Sequence, residues 1–275
     1  MRTEERREGI LRLLETSESV TVAELVERLG ASEATVRRDL VQLDQHGALR
    51  RTHGGARRLA LRGVTTPFAA RAGINAEAKG RIAAAAAGML AHGESVVLDG
   101  GTTCLEVAHR LTDPSLRVVP LSLRCATVLG GAGAQITMCG GDVRPDELTA
   151  TGARALDSLS TMRFDTAIIS CRGFTLSDGV TSYDSEDAAI KAAAVRYSGR
   201  IILLCDSTKW GKTAFGWVAE ARDLTTVVTD HVLTRDERET ADALGLEVVT
   251  VQGPPPPAQH GRPGGHSART AVPAS

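Results

Sequence analysis

Two stretches of this 275-residue chain carry residue types suited to recognition chemistry. Between Ala34 and Arg58 stand six arginines (Arg37, Arg38, Arg50, Arg51, Arg57, Arg58) against two acids (Asp39, Asp44), a local balance of six minus two in a chain of formal net charge -1. Guanidinium groups neutralise phosphates and make two-pronged hydrogen bonds to guanine edges. The second stretch is Asp99-Gly100-Gly101-Thr102-Thr103. Its glycines admit close backbone approach, and a helix beginning there offers unpaired N–H groups beside two hydroxyl donors, which is the chemistry of an anion site. Asp99, at the end of an apolar strand, suits sugar hydroxyls in the crevice of an open α/β sheet. A tight turn capped by Thr102 is the alternative for so short a motif.

Lysine is sparse: of 32 basic residues, four are Lys (Lys79, Lys191, Lys209, Lys212) and the remaining 28 are Arg. A compact ammonium with rotatable donors suits phosphate and hydroxyl contacts. Lys79, Lys209 and Lys212 are candidates on that ground, led by Lys209, which follows a strand ending at Cys205. A surface charge describes Lys79 equally well, and Lys191 and Lys212 read as solvated. Weaker patterns add little: Gly131-Ala132-Gly133 lacks the rest of a dinucleotide loop, and Gly211-Lys212 lacks the glycine a P-loop requires. Asp184, Glu186 and Asp187 have the chemistry of a general base, although helix capping is the commoner use of such a run.

The elements that must position these groups follow from apolar spacing. Ile10, Leu11 and Leu14 mark a first helix. Thr21 is placed to cap a second, carrying Val22, Leu25, Val26 and Leu29 and stopped by Gly30. Ser32 caps a third, Glu33 to His46, with Val36, Leu40 and Leu43 inward and Thr35, Arg38 and Gln42 on the opposite side. Residues 48–58, with Gly54-Gly55 between basic arms, read as a β-hairpin. Helix, turn, helix and basic hairpin together are the arrangement that sets a helix in the major groove with a wing on the backbone; the competing reading is a three-helix packing module with a solvated basic face.

Beyond a weakly patterned stretch at 59–74, helices alternate with strand candidates at 95–98, 116–121, 135–139, 166–170, 200–205, 225–229 and 246–251, the rhythm of a parallel α/β sheet. The last residues, 252–275, are rich in Pro, Gly and small polar types and read as a disordered tail. Aromatics at 3% leave little for stacking surfaces, and a near-neutral balance excludes a uniformly basic coat. The charged start is unlike a secretory signal, and the longest apolar run, 82–91, is too short to span a bilayer, so a cytoplasmic protein without membrane contact is expected. Five scattered cysteines and no paired histidines suggest neither disulfides nor metal, and no cofactor is expected.

The run Val22-Ala23-Glu24-Leu25-Val26-Glu27-Arg28-Leu29-Gly30-Ala31-Ser32-Glu33-Ala34-Thr35-Val36-Arg37-Arg38-Asp39-Leu40, followed by Leu49-Arg50-Arg51-Thr52-His53-Gly54-Gly55-Ala56, resembles the DeoR family of bacterial repressors. The likeness resumes at Pro67-Phe68, Arg71, Glu77-Ala78-Lys79, Leu98 to Thr103, Gly140-Gly141, Gly179-Val180-Thr181 and Asp206-Ser207-Thr208-Lys209. It implies a winged helix-turn-helix domain (1–58), a linker (59–74) and a sugar-phosphate sensor domain (75–251) similar in fold to ribose-phosphate isomerases and CoA transferases. The function implied is an oligomeric (dimer or tetramer), operator-binding repressor of carbohydrate use, released by a phosphorylated sugar or related effector. Ser32, Glu33, Thr35, Arg37, Arg38, Gln42, Arg50, Arg51, His53 and Arg57 would meet double-stranded DNA. Lys79, Asp99, Gly100, Gly101, Thr102, Thr103, Arg172, Asp206 and Lys209 would meet the effector. Two departures stand near the implied pocket: Pro120-Leu121-Ser122 replaces a usual Thr-Asn-Ser, and Ser170-Cys171-Arg172-Gly173 replaces a usual Gly-Ala before an acid. They point to a more acidic or otherwise unusual ligand, unless Arg172 simply pairs with Asp99 or Glu186. The alternatives are an isomerase- or transferase-like enzyme with an appended DNA-binding module, and a regulator that has lost its ligand.

Overall fold

The computed structural model describes residues 3–17, 19–45, 48–57 and 68–253. In chain order the first elements are α1 (Thr3–Thr16), β1 (Ser19–Thr21), α2 (Val22–Leu29), α3 (Glu33–Gln45), β2 (Arg50–Thr52) and β3 (Gly55–Arg57). Thr21 caps α2 reciprocally: its hydroxyl accepts from the Glu24 N–H at 3.2 Å while Glu24 accepts from the Thr21 N–H at 2.8 Å. Gly30 ends α2 at φ +61°, the left-handed conformation a helix stop requires. The apolar stripes of the three helices meet in one cluster in which Ile10, Leu25 and Val36 are fully buried.

The strand β1 escapes a reading by periodicity because it is three residues long. It pairs with β3, Val20 opposite Ala56, so the wing is a three-stranded sheet in the order β1-β3-β2. This moves the hairpin turn. Gly55 is not a turn residue but lies in β3 opposite Thr52. A Cβ there would fall 2.0 Å from the Val20 carbonyl oxygen, so close approach of β1 explains the glycine. His46 and Arg58, which the sequence places at the end of the third helix and in the wing, lie outside the described residues.

The second half contains α4 (Phe68–Ala72), α5 (Ala76–Ala87), β4 (Ser95–Leu98), α6 (Thr102–Ala108), β5 (Arg117–Pro120), α7 (Leu123–Gly131), β6 (Gln135–Ile136), β7 (Asp142–Arg144), β8 (Thr149–Thr151) and α8 (Ala153–Ser160). It continues with β9 (Phe164–Ser170), β10 (Gly173–Thr175), β11 (Gly179–Ser182), α9 (Ser185–Arg196), β12 (Ser198–Cys205), β13 (Gly216–Ala219), β14 (Thr226–Thr229), α10 (Arg235–Ala243) and β15 (Glu247–Thr250). All seven strands expected from sequence join one parallel sheet in the order β15-β14-β12-β9-β4-β5-β6. Its central strands are buried on both faces, which is why Val96-Val97-Leu98 and Ile201-Ile202-Leu203-Leu204 read as unbroken apolar runs. The strand expected at 135–139 is only two residues long, because β6 is an edge that pairs with β5 at just Arg117 and Val118.

Two smaller sheets lie outside the expected pattern: the hairpin β7-β8 and the antiparallel sheet β10-β11-β13. The weak pattern at 59–74 also conceals α4, which begins at Phe68; residues 59–67 of the expected linker and 254–275 of the expected tail are outside the described residues. Among the described residues, no helix is long and apolar enough to cross a membrane.

Candidate functional site

On α3 the polar face is built as its spacing requires. Arg38 is exposed, Thr35 and Gln42 are half-buried, and Ser32 and Thr35 share a hydroxyl contact of 2.8 Å at the helix start. Arg37 pairs with Glu33 one turn earlier at 2.7 Å. Arg50, Arg51, His53 and Arg57 are exposed on the wing, and a groove between helix and wing is lined by Arg37, Asp44, Arg51, Thr52 and His53. The two acids counted against this face are both engaged. Asp39 is 2% exposed and accepts from Arg6 at 2.5 Å and Arg7 at 3.1 Å, both on α1; Asp44 accepts from the Arg51 main-chain N–H at 3.1 Å, fixing the wing to the helix. Asp39 is thus turned away from this face, whereas Asp44 lines the groove beside Arg37 and Arg51.

Two adjoining clefts open at the carboxyl ends of β4, β9 and β12, where ligands of open parallel sheets bind. They share Arg71, Gly101, Ser170 and Cys171. The second cleft collects Lys79, Thr102, Thr103, Asp206, Thr208 and Lys209. Strand ends of a parallel sheet converge there, which is how residues more than a hundred positions apart come to face one space. Gly101 stands at φ +91°, a backbone conformation open to glycine. A Cβ on Gly100 would lie 2.4 Å from the Thr149 side chain. The first cleft is lined by Gly100, Arg172, Tyr183, Asp187 and Lys191 among others.

Beneath the first cleft lies a closed charge network. Lys191 is 5% exposed; its Nζ donates to Asp99 Oδ2 and stands 3.3 Å from Asp187. Ser170 donates to the same Asp99 oxygen through its N–H at 2.9 Å and its hydroxyl at 2.7 Å, and Ser182 donates to Asp187. Burial disfavours the Lys191 charge, but Asp187 and Asp99 outweigh it and raise the lysine above its ordinary value, so it stays protonated. Burial pushes the Asp187 carboxyl up against the pull of Lys191. Burial likewise pushes the neighbouring Cys125 thiol up to about 12, with the Asp99 charge adding to it.

Residues 6–60 match the DeoR-like helix-turn-helix domain and residues 74–231 the DeoR C terminal sensor domain. The chain belongs to the DeoR family. It is 30% identical to the HTH-type transcriptional regulator GlpR of Haloferax volcanii over 89% of this chain and 96% of that protein. It is 32% identical to the glycerol-3-phosphate regulon repressor of Escherichia coli over 84% of this chain and 92% of that protein. Among solved structures, ribose 5-phosphate isomerase A from Methanocaldococcus jannaschii is similar with a TM-score of 0.37 and 12% identity, over 48% of this chain and 53% of that one.

Of the effector-facing residues expected in this DeoR-family chain, Lys79, Gly101, Thr102, Thr103, Asp206 and Lys209 line the second cleft, and Gly100, Gly101 and Arg172 the first. Asp99 lines neither. At 2% exposure it holds Lys191 and Ser170 from behind the wall, so it orders the cleft rather than facing it. Lys191, expected to be solvated, is the clearest correction: it lies among Ala188, Ile190 and Ala194 on the buried face of α9, and an isolated lysine in that apolar run was the available signal. Of the two departures from the family pattern only the second reaches the clefts, Ser170 and Cys171 lining both and Arg172 the first. Ser122 is 1% exposed and caps α7 by accepting from the Arg124 N–H at 3.2 Å. Asp99 and Glu186, the acids considered as partners for Arg172, pair with Lys191 and Arg144. Lys212, also expected to be solvated, is half-buried. Arg71, Glu147 and Tyr183 line the first cleft without having been singled out as ligand contacts, because nothing in their local spacing marks them.

Proposed function

We propose that this chain is a repressor of a carbohydrate-use operon that leaves its operator when a phosphorylated sugar or related metabolite occupies the clefts of the sensor half. The observation that carries the reading is the second cleft, where two ammonium groups, Lys79 and Lys209, and the hydroxyls of Thr102, Thr103 and Thr208 converge on one space. Charge-assisted and hydroxyl hydrogen bonds of this kind suit a phosphate ester. Polar groups of the first cleft, including Arg172 and Tyr183, suit the remainder of the ligand. The name of the Escherichia coli relative, a glycerol-3-phosphate regulon repressor, supports the same class of signal.

On the DNA side, Ser32, Glu33, Thr35, Arg37, Arg38 and Gln42 would lie in the major groove while Arg50, Arg51, His53 and Arg57 hold the backbone. The regulator would work in the cytoplasm as a dimer or tetramer, on half-sites separated by about one helical turn, roughly 10 bp, or a multiple. Support for self-association comes from Phe215 and Trp217, 65% and 58% exposed in and beside the edge strand β13. The effector acts only if it binds the released arrangement more tightly, and operator DNA then weakens effector binding by the same factor.

A purely sensory role is favoured over turnover because the acids available for a general base are already committed. Asp184 caps α9 and pairs with Arg144, Glu186 accepts from Arg144 and Thr151, and Asp187 accepts from Ser182 and pairs with Lys191. Fluorescence anisotropy of DNA from upstream of the protein's own coding region, titrated with the full chain and then with phosphorylated sugars, tests the reading. Specific binding released by one ligand, recovered chemically unchanged, is expected. Equal operator affinity with and without a bound ligand contradicts release, and conversion of that ligand contradicts pure sensing.

A further inference from the structure

One wall of the clefts comes from the segment that leads out of the DNA-reading unit. Arg71 is on α4 and lines both clefts. One terminal nitrogen of its guanidinium donates to both oxygens of Glu147, a residue 4% exposed in the turn between β7 and β8. Lys79, whose side chain also lines the second cleft, donates from Nζ to the Arg71 carbonyl at 2.5 Å. At its start, α4 is held by Phe68, whose ring lies under the Arg124 guanidinium at 4.3 Å. It packs on α1 on one side and on α6 of the sensor half on the other, and Arg12 of α1 lies beside Gly73.

Two of the ties from α4 into the sensor half, the Arg71–Glu147 pair and the bond from Lys79 to the Arg71 carbonyl, are thus made by cations that face the candidate phosphate space, while the Phe68–Arg124 contact holds the start of the helix. A buried carboxylate holds its guanidinium strongly because the alternative is an uncompensated charge. A phosphate ester brings more oxygens and more charge to the same guanidinium. We infer that the Arg71–Glu147 pair is a latch: an anionic ligand in the second cleft draws Arg71 off Glu147, and α4 shifts together with its contacts on α1. This rests on the effector reading above. It supplies the differential affinity that release requires, since the ligand gains Arg71 only in the unlatched arrangement.

Hydrogen exchange on the full chain, with inorganic phosphate against chloride at matched ionic strength, tests the latch. Phosphate is expected to slow exchange at 101–103 and 206–209 and to cause loss of protection at 68–72 and 145–149. In Glu147→Gln, which removes the charge and keeps the size, the loss at 68–72 is expected without phosphate. Should that variant fail to fold, Arg71→Lys keeps the charge without the planar fork and should shrink the phosphate response at 68–72. Protection at 101–103 and 206–209 with unchanged exchange at 68–72 and 145–149 overturns the latch and leaves the effector reading standing. The same response to chloride also overturns it. No protection of 101–103 or 206–209, by phosphate or by any phosphorylated sugar, contradicts the effector reading and the latch with it.

Discussion

Arg38, Arg50 and Arg57 stand in solvent on α3 and the wing, whereas Lys79 and Lys191 are each 5% exposed and hydrogen-bonded inside the sensor half. The first set is arranged to meet a polyanion that arrives with its own counterions, and its charges cost little to hold in water. The second set is desolvated, so each cation is matched to acceptors already in place: Lys191 to Asp99 and Asp187, Lys79 to the Arg71 carbonyl. On the proposed function, the exposed arginines would serve recognition with little bearing on stability, while the buried lysines are bound into the packing of the sensor half.

Variants can break that contrast. The largest effect is expected from Lys191→Met, which leaves Asp99 and Asp187 facing each other in a buried site. It should cost about 3–5 kcal/mol, read from urea unfolding; a cost under about 1 kcal/mol would show that the network is not holding the sensor half together. Arg38→Ala is expected to weaken operator binding by about 1–3 kcal/mol, measured by anisotropy. The melting temperature and its response to ligand should stay unchanged. A loss of stability comparable to that of Lys191→Met would erase the distinction between the two surfaces.

The smallest effect sharpens the comparison within the sensor half. Burial alone would raise the Glu237 carboxyl, but hydrogen bonds from the Thr234 N–H, Trp210 and His231 outweigh it and hold it at about 2, against an ordinary 4.5. A depressed carboxyl contributes stability that is present above its unfolded value and lost as pH falls toward the folded one. Melting curves of wild type and Glu237→Gln should accordingly differ most above about pH 5 and converge as pH falls toward about 2. A difference that grows on acidification contradicts the sign of this shift.

Sequence reading succeeded where local physics dominates. Thr21 and Gly30 bound α2 as capping chemistry requires, and the central parallel strands announce themselves because burial on both faces leaves long apolar runs such as Val96-Val97-Leu98 and Ile201-Ile202-Leu203-Leu204. The positions at 101–103 were marked by glycines and hydroxyls at a strand end, Lys209 by the rarity of lysine and its place after a strand, and Asp206 by the family resemblance, and all of them line the second cleft. What stayed hidden depends on partners far along the chain. Arg71 and Glu147 are 76 residues apart, and neither carries a local mark of the other. Rarity drew attention to lysine as a type but carries no information on burial, so Lys191 was misjudged. β1 and the sheet β10-β11-β13 consist of three- and four-residue strands, too short for a period of two to declare itself.

The central claim, that the cleft holding Lys79 and Lys209 receives a phosphorylated metabolite, is tested most directly by thermal melting of the full chain against a panel of phosphorylated sugars, polyols and sugar acids. A ligand at 100 times its Kd adds about 2.7 kcal/mol, enough to move the transition visibly. The account predicts a selective upward shift with one phosphorylated compound, absent with its unphosphorylated counterpart and lost in Lys209→Ala. A shift that survives Lys209→Ala, or a panel that leaves the melting temperature unmoved, would contradict it.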